Sequence, residues 1–265
     1  MALALEHIRR MRGGAQAHMM RCDDGHYYIV KFQNNPQHLR ILANEMLGTS
    51  LARRLGLPTA PVAVVEVRRE LIEATADLAI QLGMGRTPCR PGLQFGSRFP
   101  GDPAEMTVHD YLPDEQLRTV ENLNDFVGML VFDKWTCNTN GRQAIFFMEP
   151  GRSQYQAWMI DQGFCFNAQN WDFPDAPLRG LYARHRVYES VRGVETFEPW
   201  LERLEKRINE TVLDELHKEI PPEWYNFDIE ALFGLLERLN RRRKQVREWI
   251  LAAKDSYRQP FPNWK

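Results

Sequence analysis

The strongest constraint on the fold of this chain is a change of apolar period near Gly101-Asp102-Pro103. Before that point the pattern alternates and turns like a small sheet: LEHIRRM, RGGAQ, AHMMRC, DDG, then HYYIVKF. Asp24-Gly25 between two strand-like runs is a hairpin signal, because glycine accepts the positive φ that tight turns require. PQHLRILANEMLGTSLARRLG follows, with Leu39, Leu42, Met46, Leu47 and Leu51 at helical spacing and a stop at Gly56 and Pro58. VAVVEV is predicted as a strand, RELIEATADLAIQLG as a helix, GMGRTPCRPG as an irregular insertion and LQFGSRF as a further strand. Beyond residue 103 the period becomes helical: VENLNDFVGMLVFDKWTCN is one helix, AIFFM and YQAWMID are short strands, and the remainder is helical with a Pro-Pro break. The pattern predicts an α+β chain in two parts, 1–103 mainly strands with one prominent helix, and 104–265 mainly helices.

A chain of 265 residues with 43% hydrophobic and 26% charged side chains can bury a sizeable core. Its net charge, 34 − 35 = −1, creates no global field toward nucleic acid or an anionic membrane. The one basic run, RLNRRRKQVR, reads as a solvated helix face. Cys22, Cys89, Cys137 and Cys165 form no CxxC pair, and no run of about 18 apolar residues exists. A soluble, unexported protein of the reducing cytoplasm is the expectation. The seven histidines show no HExxH spacing, and GMGRTPCRPG lacks the strand-glycine-helix context of a dinucleotide loop. Trp158, Trp171, Trp200 and Trp224 fall in apolar elements and are read as core.

One polar knot interrupts the apolar second part. In FDKWTCNTNGRQAIFF, residues 132–147, Asn138, Asn140, Arg142 and Gln143 lie between two apolar runs. Buried amides and a guanidinium are costly without partners, so this segment is either a hydrogen-bonded brace or a ligand site.

Four further features occur in a meaningful order: Gly13-Gly14 between the first two strands, Lys31 ending the third, Glu45 within the next helix, and Asp161 in IDQG. A kinase-type phosphate site needs such parts: a glycine turn over the phosphates, a strand lysine, a helical glutamate that fixes it, and an aspartate on the metal.

These residues resemble the HipA-like kinases, an atypical serine/threonine kinase group with a two-lobed, protein-kinase-like fold. The resemblance rests on GGAQ at 13–16, YIVKF at 28–32, NEMLGTSLARRLGLP at 44–58, FDKWTCNTN at 132–140, MIDQG at 159–163 and IPPEW at 220–224. It implies ATP with Mg²⁺ or Mn²⁺ as cofactors, and a protein or small-molecule hydroxyl as acceptor. It places Gly13, Gly14 and Gln16 over phosphate, Lys31 on it, Glu45 on Lys31, and Asp161 on the metal with Asn138 as a second candidate ligand. The catalytic loop would span 137–145 and the metal motif 161–163.

In that loop the chain departs from the family pattern. The family's loop resembles N-T-D-R, with an asparagine five residues after the aspartate. Here Asn140 stands in the aspartate's place and Ile145 in the asparagine's. A neutral amide cannot accept a proton as a carboxylate does, so base assistance is expected to be weakened. Asp133 could substitute as base or act as a structural acid paired with Arg142, and Gln143 could supply an oxygen to metal or substrate. Phosphoryl transfer, a pseudokinase role as a nucleotide-binding or scaffolding module, and nucleotidyl transfer all remain open at this point.

Overall fold

A computed structural model describes residues 1–265. The chain opens with β1 (Ala2–Arg10), β2 (His18–Cys22) and β3 (Tyr27–Lys31), followed by α1 (Ile41–Leu55), β4 (Val62–Val67) and α2 (Arg69–Ala74). A hairpin of β5 (Ala79–Leu82) and β6 (Gly85–Pro88) leads to β7 (Gly92–Arg98). The second part contains β8 (Val108–His109), α3 (Asp114–Leu117), α4 (Asp125–Thr136), β9 (Gln143–Phe147), β10 (Gln156–Ile160), α5 (Glu198–Arg207), α6 (Glu210–Leu216), α7 (Ile229–Arg242) and α8 (Val246–Lys254). The five strands β1-β2-β3-β7-β4 close into a barrel, and β10-β9-β8 form a separate small antiparallel sheet. No helix is long and apolar enough to cross a membrane.

Several local expectations are corrected. The first long helix starts at Ile41, leaving Leu39 79% exposed. The preceding residues are held as a loop by the Asn35 side chain, whose Oδ1 accepts from Gln37 N at 3.0 Å. RELIEATADLAIQLG is helical only to Ala74; its second half becomes β5, paired with the expected insertion, because Leu78, Ile80 and Cys89 are buried together with the barrel core. The basic run is not wholly solvated. Arg242 is buried, stacks on Phe173 and Trp249, and pairs with Asp175 at 2.7 and 2.8 Å. Trp171 and Trp224 are core, whereas Trp158 and Trp200 are half-buried.

The partition of apolar contacts matters for the site. A core of 13 buried residues lies with the barrel, and one of 49 fills the rest and reaches Phe95 of β7 in the barrel. The apolar face of α1, including Leu42, Met46, Leu47 and Leu51, belongs to the larger core, although the helix lies between barrel strands in sequence.

His18 is fully buried beside Phe32, with His7 Nε2 3.1 Å from its Nδ1 and Cys89 Sγ 3.8 Å from its Nε2. Burial, aided by His7 and Arg10, pulls its pKa down to about 4. A base with a lowered folded pKa is neutral in the native state, so the unfolded chain binds the extra proton between about pH 6.5 and 4. Stability from this group is therefore present above pH 6.5 and lost as pH falls toward 4, by about 3 kcal/mol. Acid unfolding followed by circular dichroism should show a shallower loss across that window in His18→Leu than in the parent.

Candidate functional site

Lys31, Glu45 and Asp161 converge although they come from β3, α1 and the end of β10. Lys31 Nζ donates to Glu45 Oε1 and, at 2.7 Å, to Asp161 Oδ1. β3 delivers the lysine at its last residue, and α1 presents Glu45 one turn from its start. Glu45 is held from the other side too: its carboxylate accepts from Gln162 N at 3.0 Å and Gly163 N at 2.9 Å. Gly163 permits this approach, since a Cβ there would lie 2.7 Å from Ile41 and 3.1 Å from Glu45 Oε1. Asp161 has φ +63, a left-handed conformation costly for a non-glycine residue, and it is over-determined by its neighbours.

Two carboxylates and one ammonium leave a net charge of −1 in a largely buried place. Burial opposes the lysine's charge, but Glu45 and Asp161 raise its pKa above the ordinary value. Burial pushes Glu45 upward. It also works against the charge on Asp161, yet Lys31 holds that carboxyl below its usual range. A divalent cation would balance the residual charge. No group of three His, Cys, Asp or Glu side chains is placed to hold one unaided.

The triad lies at a cavity of about 450 Å³, the size of a small-molecule site. Ile29 and Lys31 alternate onto it from β3, while Gln143, Ile145 and Ile160 line it from the facing β9-β10 pair. Gly13 and Gly14 line it from the β1-β2 turn. Gly13 has φ +110 and open space where a Cβ would be, so the turn brings bare backbone to the cavity. Gln37, unremarked in the sequence, also lines the cavity, with Nε2 3.3 Å from where a Gly14 Cβ would stand.

The polar knot divides between brace and cavity wall. Cys137 turns the chain out of α4 with φ +50. Asp133 is fully buried, accepts from Arg142 Nε at 2.8 Å, Arg142 Nη2 and Asn138 Nδ2 at 2.9 Å, and does not line the cavity. Arg142 Nη1 then donates to Ile160 O at 2.7 Å and Gln162 Oε1 at 2.8 Å, gripping both sides of Asp161. Asn140 and Gln143 do line the cavity, and Gln143 Nε2 donates to Asp161 Oδ2 at 2.8 Å.

Three expected site residues are thus placed elsewhere. Asp133 is sequestered by Arg142 and offers no free oxygen to a substrate. Asn138, expected as a metal ligand, is spent on Asp133 and on Asn140 N at 3.1 Å. Gln16, expected over phosphate, instead binds the β5-β6 hairpin, accepting from Gln81 N at 2.7 Å and donating to Gln81 O at 2.8 Å. That hairpin was read as helix and insertion, which hid the partner.

Sequence reasoning also missed Asn44. Its Nδ2 faces the carbonyls of Gly163 (2.8 Å), Cys165 (3.1 Å) and Ala168 (2.8 Å), while its Oδ1 accepts from Trp171 Nε1 at 2.7 Å. This clamp holds a segment in which Phe166, Asn167 and Ala168 all have positive φ. Asn44 opens the NEMLGTSLARRLGLP segment, in which no role was read for it.

A barrel facing a helical lobe across such a cavity defines a protein-kinase-like, α+β fold. The chain belongs to the HipA-like kinase family, whose sequence model matches residues 5–252. Among solved structures it is similar to the Golgi casein kinase with Mn/ADP bound, at 14% identity, 96% coverage of this chain, 74% of that one and a TM-score of 0.55. It is also similar to the Helicobacter pylori proinflammatory kinase CtkA, at 12% identity, 91% and 96% coverage and a TM-score of 0.53. At such identities the likeness is one of fold. No curated protein sequence matches the chain.

Proposed function

We propose that the protein binds ATP with Mg²⁺ or Mn²⁺ between an N-lobe of residues 1–103 and a C-lobe of 104–265, and transfers a phosphoryl group to a protein or small-molecule hydroxyl. The observation that carries this reading is Lys31 held between Glu45 and Asp161 at the wall of the cavity. Family membership supports the same class of reaction, and the similar Golgi casein kinase was crystallised with Mn/ADP.

The residues present fit a nucleotide and a divalent ion. The triad's net −1 would be offset by the metal, with Asp161 as its carboxylate ligand and Gln143 able to turn its amide oxygen toward it. When bound, that ion neutralises charge on the phosphate oxygens. Lys31 would leave Asp161 for phosphate while keeping Glu45, and the exposed backbone at Gly13-Gly14 would cover the phosphate chain. Arg142 keeps Asp161 aimed throughout. Asp161→Asn is expected to reduce Mg²⁺-supported nucleotide affinity to the metal-free level by calorimetry; retained metal dependence would place the ion elsewhere.

A second reading has its own observation. The cavity wall carries Asn140 and Ile145 where the family pattern has an aspartate and an asparagine, so it lacks a base and one metal ligand, which favours a pseudokinase acting as a nucleotide-binding or scaffolding module. Incubation with ATP and Mg²⁺ or Mn²⁺, followed by intact mass, separates the cases. A phosphate-sized gain on the protein or an added acceptor supports transfer, a nucleotide-sized gain means nucleotidyl transfer, and binding without any gain supports the pseudokinase.

A further inference from the structure

The cavity end remote from Lys31 is built from backbone that has no N–H to give. The β3-β7 register sets Lys31 opposite Phe95 and Ile29 opposite Ser97. The cavity-lining stretch Arg98-Phe99-Pro100 therefore begins about 10 Å farther along β7, at 3.4 Å per residue. Between it and the triad lie Ile29 on one wall and Ile145 and Ile160 on the other, an apolar slot of the kind that takes a flat ring. With phosphates at Lys31, the base of a nucleotide would lie in this slot with its polar edge at residues 98–100.

Every amide hydrogen of that edge is committed. Arg98 N donates to Pro61 O, Phe99 N to Tyr27 O and Gly101 N to Phe99 O, each at 2.8 Å. Pro100 has none. Nor can Pro61 return a hydrogen bond to the Arg98 carbonyl. The edge thus offers carbonyl acceptors and, from Ser97, one hydroxyl that can donate or accept.

We infer that the backbone of this site reads a purine through the base's own donors alone, so that Pro100 makes it accept adenine and guanine nucleotides with similar affinity. Adenine can give its N6 amino hydrogens to a carbonyl, but its N1 acceptor finds no backbone partner. Guanine can give N1–H and its 2-amino group, but its O6 acceptor finds none. Each base leaves its acceptor unpaired, so adenine gains no advantage over guanine from the backbone, and guanine's second donor is worth at most about tenfold. An N–H at position 100 would break this balance in favour of adenine N1, because one hydrogen bond made rather than missed is worth about tenfold.

The inference rests on the nucleotide reading of the cavity, and the test separates the two. Calorimetry on the full chain with Mg²⁺ should give dissociation constants for ATP, GTP and 1-deaza-ATP, in which a C–H replaces N1, within about tenfold of one another. In Pro100→Ala, ATP should tighten about tenfold while 1-deaza-ATP does not. A preference for ATP over GTP of about 100-fold or more in the parent, or a loss of about tenfold on removing N1, would overturn the inference and leave nucleotide binding intact. Failure of all three to bind would overturn the nucleotide reading and this inference with it. The 1-deaza comparison needs no substitution and decides the matter even if Pro100→Ala folds poorly.

Discussion

Asn140→Asp is expected to raise phosphoryl transfer by about 10²- to 10⁴-fold, the usual worth of a positioned general base. Asn140 lines the cavity from the loop between α4 and β9, and its Oδ1 accepts only from Gly141 N, its own neighbour, at 2.9 Å. Nothing anchors this side chain as Asp133 and Asn138 are anchored, so a carboxylate can replace the amide without breaking the brace. It would sit half-exposed, where ionisation is cheap, and could accept the acceptor hydroxyl's proton. A single-turnover assay with ATP and Mg²⁺ measures the gain. An unchanged rate would show that the loop does not reach the reacting hydroxyl, and Asp133 could not be invoked in its place.

Arg142→Met is expected to cost about 3–5 kcal/mol of folding stability, the penalty for stranding a buried charge. The guanidinium is almost wholly buried, and although burial opposes its charge, Asp133 raises its pKa beyond the ordinary arginine value. Without it, the Asp133 carboxylate keeps only the Asn138 amide and the backbone at Ile160 loses its donor. Urea unfolding gives the number. Pairing the change with Asp133→Leu should recover a large part of it, because an apolar pair leaves no buried charge behind. Equal losses in the single and double variants would mean that the Ile160 and Gln162 contacts dominate, and nucleotide affinity would then fall with stability.

Much of this arrangement was legible because its signals are local. The Asp24-Gly25 turn, the α1 stop at Gly56 and Gly163 beyond Asp161 each depend on a few neighbouring residues, while Lys31, Glu45 and Asp161 were singled out by their joint order and the resemblance to HipA-like kinases. What the sequence hid was partnership at long range. Asp133 and Arg142 are nine residues apart, and only the turn at Cys137 decides that they meet inside rather than beside the cavity. Gln16 found its partner 65 residues away on a hairpin whose first half carries a helical pattern. Arg242 looked like one more surface cation until Asp175 and two aromatic rings enclosed it. Charge and amide content announce a polar network without saying which member faces the ligand.

The assignment of α1 to the larger core sets how this molecule can open. Its apolar face is packed into the helical lobe, Glu45 accepts two amides from the loop after Asp161, and Asn44 clamps the same loop. Glutamate, aspartate and loop are therefore tied into one piece. The barrel carries Lys31 and the glycine turn and meets that piece through the lysine, through Phe95 of β7 in the larger core and through Leu93 O, which accepts from Trp224 Nε1 at 2.9 Å. Swinging α1 outward would break the main core, so any opening of the cleft is expected to leave Glu45 with the loop after Asp161.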